Sequence, residues 1–233
     1  MKIGISQPTY LPWQGYFGLI DYVDEFVFLE NVQFEKRSWQ QRNKIRNKSE
    51  EIFLSVSVKT KKKYYQKILD VNLDNFKKTQ KKHLSTIKNS YSNSKFFSLY
   101  YSGFEEVFNH NYEKLTDLNK SIILHTCKIL EIKTIISSDN DLSFDSKNTD
   151  YIKDICLKKN CNNYVSTIGS KNYLGDAQYF PNTNIKINYF DFKNMEYEQN
   201  YNKFISKLSI IDLLFNLGPK SLNYIRKNFY ICN

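Results

Sequence analysis

Residues 2–29 read KIGISQPTYLPWQGYFGLIDYVDEFVFL, and the order of elements in this stretch decides the fold. Lys2-Ile3-Gly4-Ile5-Ser6 is a short buried strand, stopped by Gln7-Pro8. A ring-rich loop follows from Thr9 to Trp13. From Gln14 to Val23 the apolar Tyr16, Phe17, Leu19, Ile20 and Val23 recur at three and four, the spacing of a short helix. Asp24-Glu25 then lead into Phe26-Val27-Phe28-Leu29, a second buried strand. Strand, loop, helix, strand is the order of a parallel βαβ unit.

Working outward, Ile52 to Val58 alternates as a strand, and Lys59-Thr60-Lys61-Lys62-Lys63 breaks it. Helical periodicity then runs from about Asn75 to Tyr91, Phe96 to Phe108 and Tyr112 to Leu130, so residues 60–131 are expected to form a helical layer or insertion. Lys133 to Ile136 returns to strand and Ser137 to Asn140 reads as polar loop. Thr149 is placed as the N-cap of a helix reaching Lys158. Tyr164–Thr167 and Ile185–Phe190 complete the strands, and Lys203–Leu217 is the last helix, closed by Gly218-Pro219. The expected fold is α/β: one domain over residues 1–233 with an open, mostly parallel, Rossmann-like sheet. In such sheets the cleft opens at the carboxyl ends of the strands. The loops from Gln7, from Glu30-Asn31 and from Ser166 to Gly169 are expected to line it.

Composition narrows the classes. The 233 residues are 41% hydrophobic and 25% charged, a globular balance, with 18 Tyr and 17 Phe. The formal charge of +10 suits anionic partners, but it rests on Lys in a Lys- and Asn-rich chain and is read as a solvated surface. Cys127, Cys156, Cys161 and Cys232 show no Cys-x-x-Cys pair, which argues against a structural zinc and against a disulfide framework. No signal peptide or membrane-length apolar run is read, so a reduced, cytoplasmic protein without membrane insertion is expected.

Two constellations could carry chemistry. Gln7-Pro8-Thr9-Tyr10-Leu11-Pro12-Trp13-Gln14-Gly15-Tyr16-Phe17 offers amides, rings and a helix start suited to a pyrophosphate, or else is a rigid turn with aromatic staples. Glu30-Asn31-Val32-Gln33-Phe34, followed by Arg37-Ser38-Trp39-Gln40-Gln41-Arg42-Asn43-Lys44, could bind a phosphate or stack on a sugar, or else is a solvated turn. Ser166-Thr167-Ile168-Gly169-Ser170-Lys171 could hold a phosphate through backbone amides, though it is not a Walker loop. Asp212 stands out as an acid within an apolar helix. No Gly-x-Gly-x-x-Gly, Gly-x-Ser-x-Gly or His-Glu-x-x-His motif occurs, which argues against a dinucleotide oxidoreductase, a serine hydrolase and a zincin.

The run from Ile3 through Arg46 resembles the opening signature of WbqC-like proteins: a Gln-Pro then aromatic-Pro loop, Gly-Tyr-Phe, Val-Asp-x-Phe-Val, a Val-Gln-Phe turn and Trp-x-x-Arg-Asn. Further echoes are Lys82-His83 with Tyr91 downstream, the loop from Ser166 to Tyr173, and Leu208 through Gly218. One departure is that the turn carries Glu30-Asn31 where the family pattern has paired acids. The resemblance implies a role in O-antigen or capsule sugar biosynthesis. The expected activity is a transferase: an acyl or aminoacyl group passes to the amine of a nucleotide-linked amino sugar, with an acyl-CoA or other activated donor as co-substrate and no metal. His83 is the expected general base. Gln7, Tyr10, Gln14, Tyr16, Asn31, Gln33, Trp39, Arg42, Asn43, Ser166, Gly169, Tyr173 and Asp212 are the expected substrate-binding residues. Two alternatives stay open: a nucleotidyltransferase-like enzyme, and a non-catalytic basic nucleic-acid binder drawn from Lys59–Lys63 and Lys77–Lys82 interleaved with Tyr64 and Tyr65. The absence of an RRM, KH or helix-turn-helix signature argues against the latter, and the many aromatics leave room for a homodimer interface.

Overall fold

A computed structural model describes residues 1–48, 50–175, 178–201 and 203–232, and these form eight strands and eight α-helices. Asp176 and the side chain of Tyr173 lie outside the described residues. Strand β1 (Lys2–Ser6), helix α1 (Gln14–Tyr22) and strand β2 (Glu25–Phe28) form the βαβ unit, with Ile3 through Ser6 in parallel register with Glu25 through Phe28. A hairpin of β3 (Arg42–Arg46) and β4 (Glu51–Ser55) follows as a separate antiparallel pair. The middle of the chain is helical: α2 (Phe76–Tyr91), α3 (Phe97–Asn109) and α4 (Leu115–Ile129). The chain returns to the sheet with β5 (Ile135–Ser138), α5 (Asn148–Lys158), β6 (Asn163–Thr167), α6 (Lys171–Leu174) and β7 (Lys186–Phe192). It ends in α7 (Ile210–Leu217), α8 (Ser221–Lys227) and β8 (Phe229–Cys232).

The main sheet has six strands in the order β5-β2-β1-β6-β7-β8, all parallel except β8, which runs antiparallel to β7. The chain builds outward from β1 to β2 and β5, then crosses to β6 on the other side of β1. Strand order therefore reverses between β1 and β6, the topological position where open α/β sheets commonly place a crevice; the cleft described below opens beside it instead, at the ends of β2 and β5.

Alternation sorts the side chains into two cores, one on each face. Ile3, Ile5, Val27, Tyr164, Ile187 and Tyr189 pack with Tyr151, Ile152 and Ile155 of α5. On the other face Phe26, Phe28, Val165, Phe190 and Phe192 meet α1, the hairpin, the helical layer and α7 in a larger cluster.

Several local expectations are corrected. Ser137 and Ser138 belong to β5 rather than to a loop, because β5 is an edge strand and their hydroxyls bond Glu25 and Glu30. The strand begun at Glu51 stops at Ser55, where Val56 N–H turns to Gln41 O (2.8 Å). Helix α5 begins at Asn148, so Thr149 stands inside its first turn and not at the cap. Helix α7 begins only at Ile210: Lys207 has φ of 55°, which no continuing helix tolerates, and Ser209 takes the cap position. Gly218-Pro219 ends α7, yet α8 and β8 follow.

Candidate functional site

The carboxyl ends of β2 and β5 are tied together by one buried carboxylate. Asp139, the first residue after β5, is fully buried and receives N–H bonds from Glu30 (2.8 Å) and Asn31 (3.1 Å). Tyr151 of α5 donates its hydroxyl to the same carboxylate (3.1 Å), and Asn31 Nδ2 bonds the Asp139 carbonyl (2.7 Å). Burial pushes the Asp139 carboxyl above its ordinary range; the three donors oppose that rise and the nearby Glu30 adds to it. The same burial, together with the Asp139 charge, holds the Tyr151 phenol well above its usual value. Glu30 is also fully buried, takes hydroxyls from Thr116 and Ser138, and pairs with Lys120 Nζ at 3.1 Å.

In front of this carboxylate lies a cleft of about 480 Å³, lined among others by Asn31, Gln33, Lys67, Phe144, Lys147 and Tyr151. Lys67 Nζ reaches Asn31 Oδ1 (3.2 Å), so an ammonium and an amide stand side by side on one wall. The lining offers amide donors and acceptors, two cations and one acid (Asp145), an aromatic edge and a phenol backed by a carboxylate. That set suits a polar, phosphate-bearing molecule with a sugar-like body.

The other expected residues divide between the carboxyl edge and the interior. Gln7 leaves β1 at this edge, with Gln40 Nε2 on its Oε1 (2.7 Å) and Tyr16 Oη on its carbonyl (3.1 Å). Ser166 and Gly169 stand at the end of β6. The Ser166 hydroxyl is buried against Tyr164 Oη (3.0 Å), whereas nothing lies within 4 Å of where a Cβ on Gly169 would point. Tyr173 is in α6, its side chain outside the described residues.

The α1 N-terminus is not an open anion site. A Cβ on Gly15 would stand 2.4 Å from the Trp13 ring, which folds back over the first turn, and Pro12-Trp13 pair with Ser209-Ile210. The close approach that Gly15 permits is to the chain's own indole. Gln14 is buried, with Nε2 on Asn194 Oδ1 (3.3 Å). Asn43 holds the loop from inside, donating to the carbonyls of Tyr10 (3.2 Å) and Leu11 (2.8 Å) and fixing Leu11 at φ 44°. Trp39 is 52% exposed and stacks on Phe53, over which Arg42 also lies (4.7 Å), forming a patch on the hairpin apart from the cleft lining.

His83 and Asp212 sit in two internal networks. His83 is 3% exposed, its Nδ1 2.7 Å from Tyr10 Oη. Burial, assisted by Lys82, lowers its pKa to about 4, so the ring is neutral at physiological pH. Asp212 is fully buried and accepts from Tyr91 (2.9 Å), Tyr197 (2.7 Å) and Gln199 (2.8 Å). Arg46 Nη1 grips Gln199 Oε1 (2.5 Å) and the Lys203 carbonyl (2.6 Å), so this network ties Tyr197, Gln199 and Lys203 to β3 and α7. Burial raises the Asp212 pKa, and its three donors and Arg46 oppose the rise.

Sequence reasoning missed Asp139, Tyr151 and Lys67, and named Glu30 within the second constellation without giving it a role. Asp139 was legible only as polar loop; its signal is position, an acid directly after a strand at the binding edge. Lys67 sits in an irregular segment and Tyr151 on an amphipathic helix, and neither position marks them from sequence.

A family model described as the WbqC-like protein family matches residues 7–224. A curated relative named Uncharacterized protein Rv1507c, from Mycobacterium tuberculosis (strain ATCC 25618 / H37Rv), is 29% identical over 227 residues, covering 97% of this chain and 97% of its own. No solved structure matches.

Proposed function

The chain belongs to the WbqC-like protein family, and on that premise we propose that it is a transferase of bacterial surface-glycan biosynthesis that passes an acyl or aminoacyl group to the amine of a nucleotide-linked amino sugar. The observation that carries the reading is the cleft at the ends of β2 and β5, where Asn31, Gln33, Lys67 and Lys147 stand in front of the Asp139–Tyr151 pair. The two ammonium groups would meet the diphosphate, and the amides of Asn31 and Gln33 would orient the sugar hydroxyls. An acyl-CoA or other activated acyl compound would enter as co-substrate.

In the reaction the sugar amine attacks the acyl carbon, the C–S bond of a thioester breaks, and the thiolate leaves. The proton lost by the attacking nitrogen passes to the Tyr151 oxygen as the Tyr151 proton moves to Asp139. This route is favoured over His83 because Tyr151 lines the cleft, whereas the His83 ring is turned inward to Tyr10.

The test is a melting screen of the purified protein with UDP-, dTDP- and GDP-linked amino sugars, alone and with acyl-CoAs, followed by mass spectrometry of the sugar. A ligand at a hundred times its Kd stabilises the folded state by about 2.7 kcal/mol. Support is a melting shift with one amino-sugar nucleotide that disappears in Lys67→Ala, and a product heavier by the acyl group. If no sugar nucleotide shifts the melt, the transferase reading is withdrawn.

A further inference from the structure

Two turns adjoining the cleft-lining residues Gln33 and Lys67 carry a basic, aromatic surface. The first is Glu35–Trp39, where Lys36 and Arg37 are exposed. The second is Thr60–Tyr65, where Lys61, Lys62 and Lys63 are exposed and Tyr64 and Tyr65 are 73% and 86% exposed. The turns are joined: Gln33 Nε2 bonds the Tyr64 carbonyl (3.4 Å), Phe34 N–H bonds the Gln66 carbonyl (3.0 Å), and Lys36 Nζ lies 5.9 Å from the Tyr64 ring. Gln33 and Lys67, which flank the surface in sequence, line the cleft itself. Five cations face one acid, Glu35, across the two turns, and no other acid occurs between Lys36 and Lys67 except Glu50 and Glu51 in and beside the hairpin.

Two adjacent tyrosines left this bare are costly on a protein that has no surface to set them against. A ring with a polar tip, flanked by lysines, is the combination that settles at the headgroup level of a bilayer, where the ring enters the interface and the ammonium groups meet anionic lipid. Strand-tracking nucleic-acid sites instead line a groove with stacked rings; here the side chains project from turns.

We propose that the turns Glu35–Trp39 and Thr60–Tyr65 form a docking surface for an anionic lipid bilayer, which sets the mouth of the cleft against the membrane. The contact is peripheral: no helix among the described residues is long and apolar enough to cross a membrane. It is independent of the transferase reading, since vesicles without any sugar nucleotide test it.

The experiment is flotation of the full chain with vesicles of phosphatidylcholine alone or mixed with phosphatidylglycerol, across a salt series. The protein is expected to float with the anionic vesicles at low salt and to be released as salt rises. Reversing Lys61, Lys62 and Lys63 to Glu should lower partitioning by roughly 100-fold or more, and Tyr64→Ser with Tyr65→Ser should lower it about 10-fold, with unchanged circular dichroism melts. Reversing the equally exposed Lys77, Lys78 and Lys81 of α2 makes the same change in net charge elsewhere and should alter partitioning only a few-fold. Equal loss in both triple variants would reduce the attraction to net charge and overturn the docking surface. So would no flotation at low salt, or retention on a single-stranded oligonucleotide with no vesicle binding.

Discussion

At the scale of single residues the two histidine and carboxylate environments make opposite demands. His83 must be neutral to stay where it is. Its pKa of about 4 lies below the 6.5 of an unfolded chain, so the unfolded state binds the extra proton between those values. Its contribution is therefore complete above pH 6.5 and drains away as pH falls toward 4, amounting to about 3 kcal/mol. Urea unfolding at stepped pH should show this slope in the natural protein and a flatter one in His83→Gln; identical slopes would mean another group sets the acid limit. In the proposed reaction Asp139 and Tyr151 move a proton, so Asp139→Asn and Tyr151→Phe should each cost about 100-fold or more in kcat with KM little changed. A rise in KM at constant kcat would assign them to substrate binding instead.

At the scale of elements, α1 is clamped between the sheet and α8 through a glycine. A Cβ on Gly18 would stand 2.8 Å from the Phe190 ring and 3.2 Å from Ile225. Alanine improves helix propensity by about 1 kcal/mol, but forcing a methyl into packed rings costs about 1–3 kcal/mol, so Gly18→Ala should destabilise on balance. Chemical denaturation decides it, and a stabilised variant would mean that α1 and β7 can part at little cost. The β1–α1 loop depends likewise on Asn43. Asn43→Ala leaves the Tyr10 and Leu11 carbonyls buried without their donor and should cost about 1–3 kcal/mol. Elements built on their own periodicity were readable from sequence: β1, α1, β2 and the three middle helices begin and end within a few residues of their apolar patterns. Those set by partners were not. The hairpin strand β3 is a polar Arg-Asn-Lys-Ile-Arg run, and the hydroxyls of the strand residues Ser137 and Ser138 are taken by the half-buried Glu25 and the buried Glu30. Lys203–Ser209 continues a helical pattern that the left-handed Lys207 interrupts.

At the scale of the molecule, the two cores share one sheet, and the helical layer packs into the larger of them. Residues 1–233 should therefore unfold as one unit, with tyrosine near-ultraviolet and far-ultraviolet circular dichroism losing signal at the same denaturant concentration. An early far-ultraviolet loss would mark residues 60–131 as a separate domain. The mostly parallel α/β class was legible because each strand–helix alternation is local, whereas the strand order, which depends on pairings between distant segments, was not. The candidate site was legible only in part: Asn31 and Gln33 lie in the opening stretch, but Lys67, Asp139 and Tyr151 arrive from distant segments and meet only once the sheet is assembled.

That assembly has a timing imposed by the strand order. Strand β1 is central, yet Lys2 can meet Asn163 only after the intervening chain has been translated. At ribosomal speeds the wait is on the order of ten seconds or more. Throughout it, Ile3 and Ile5 have neither the α5 face nor β6 to cover them, and one side of β1 offers open backbone to any passing strand. The emerging polypeptide thus carries its most hazardous edge at the heart of the future sheet, and a chain arrested after β5 would present that edge permanently as a target for chaperones or for aggregation.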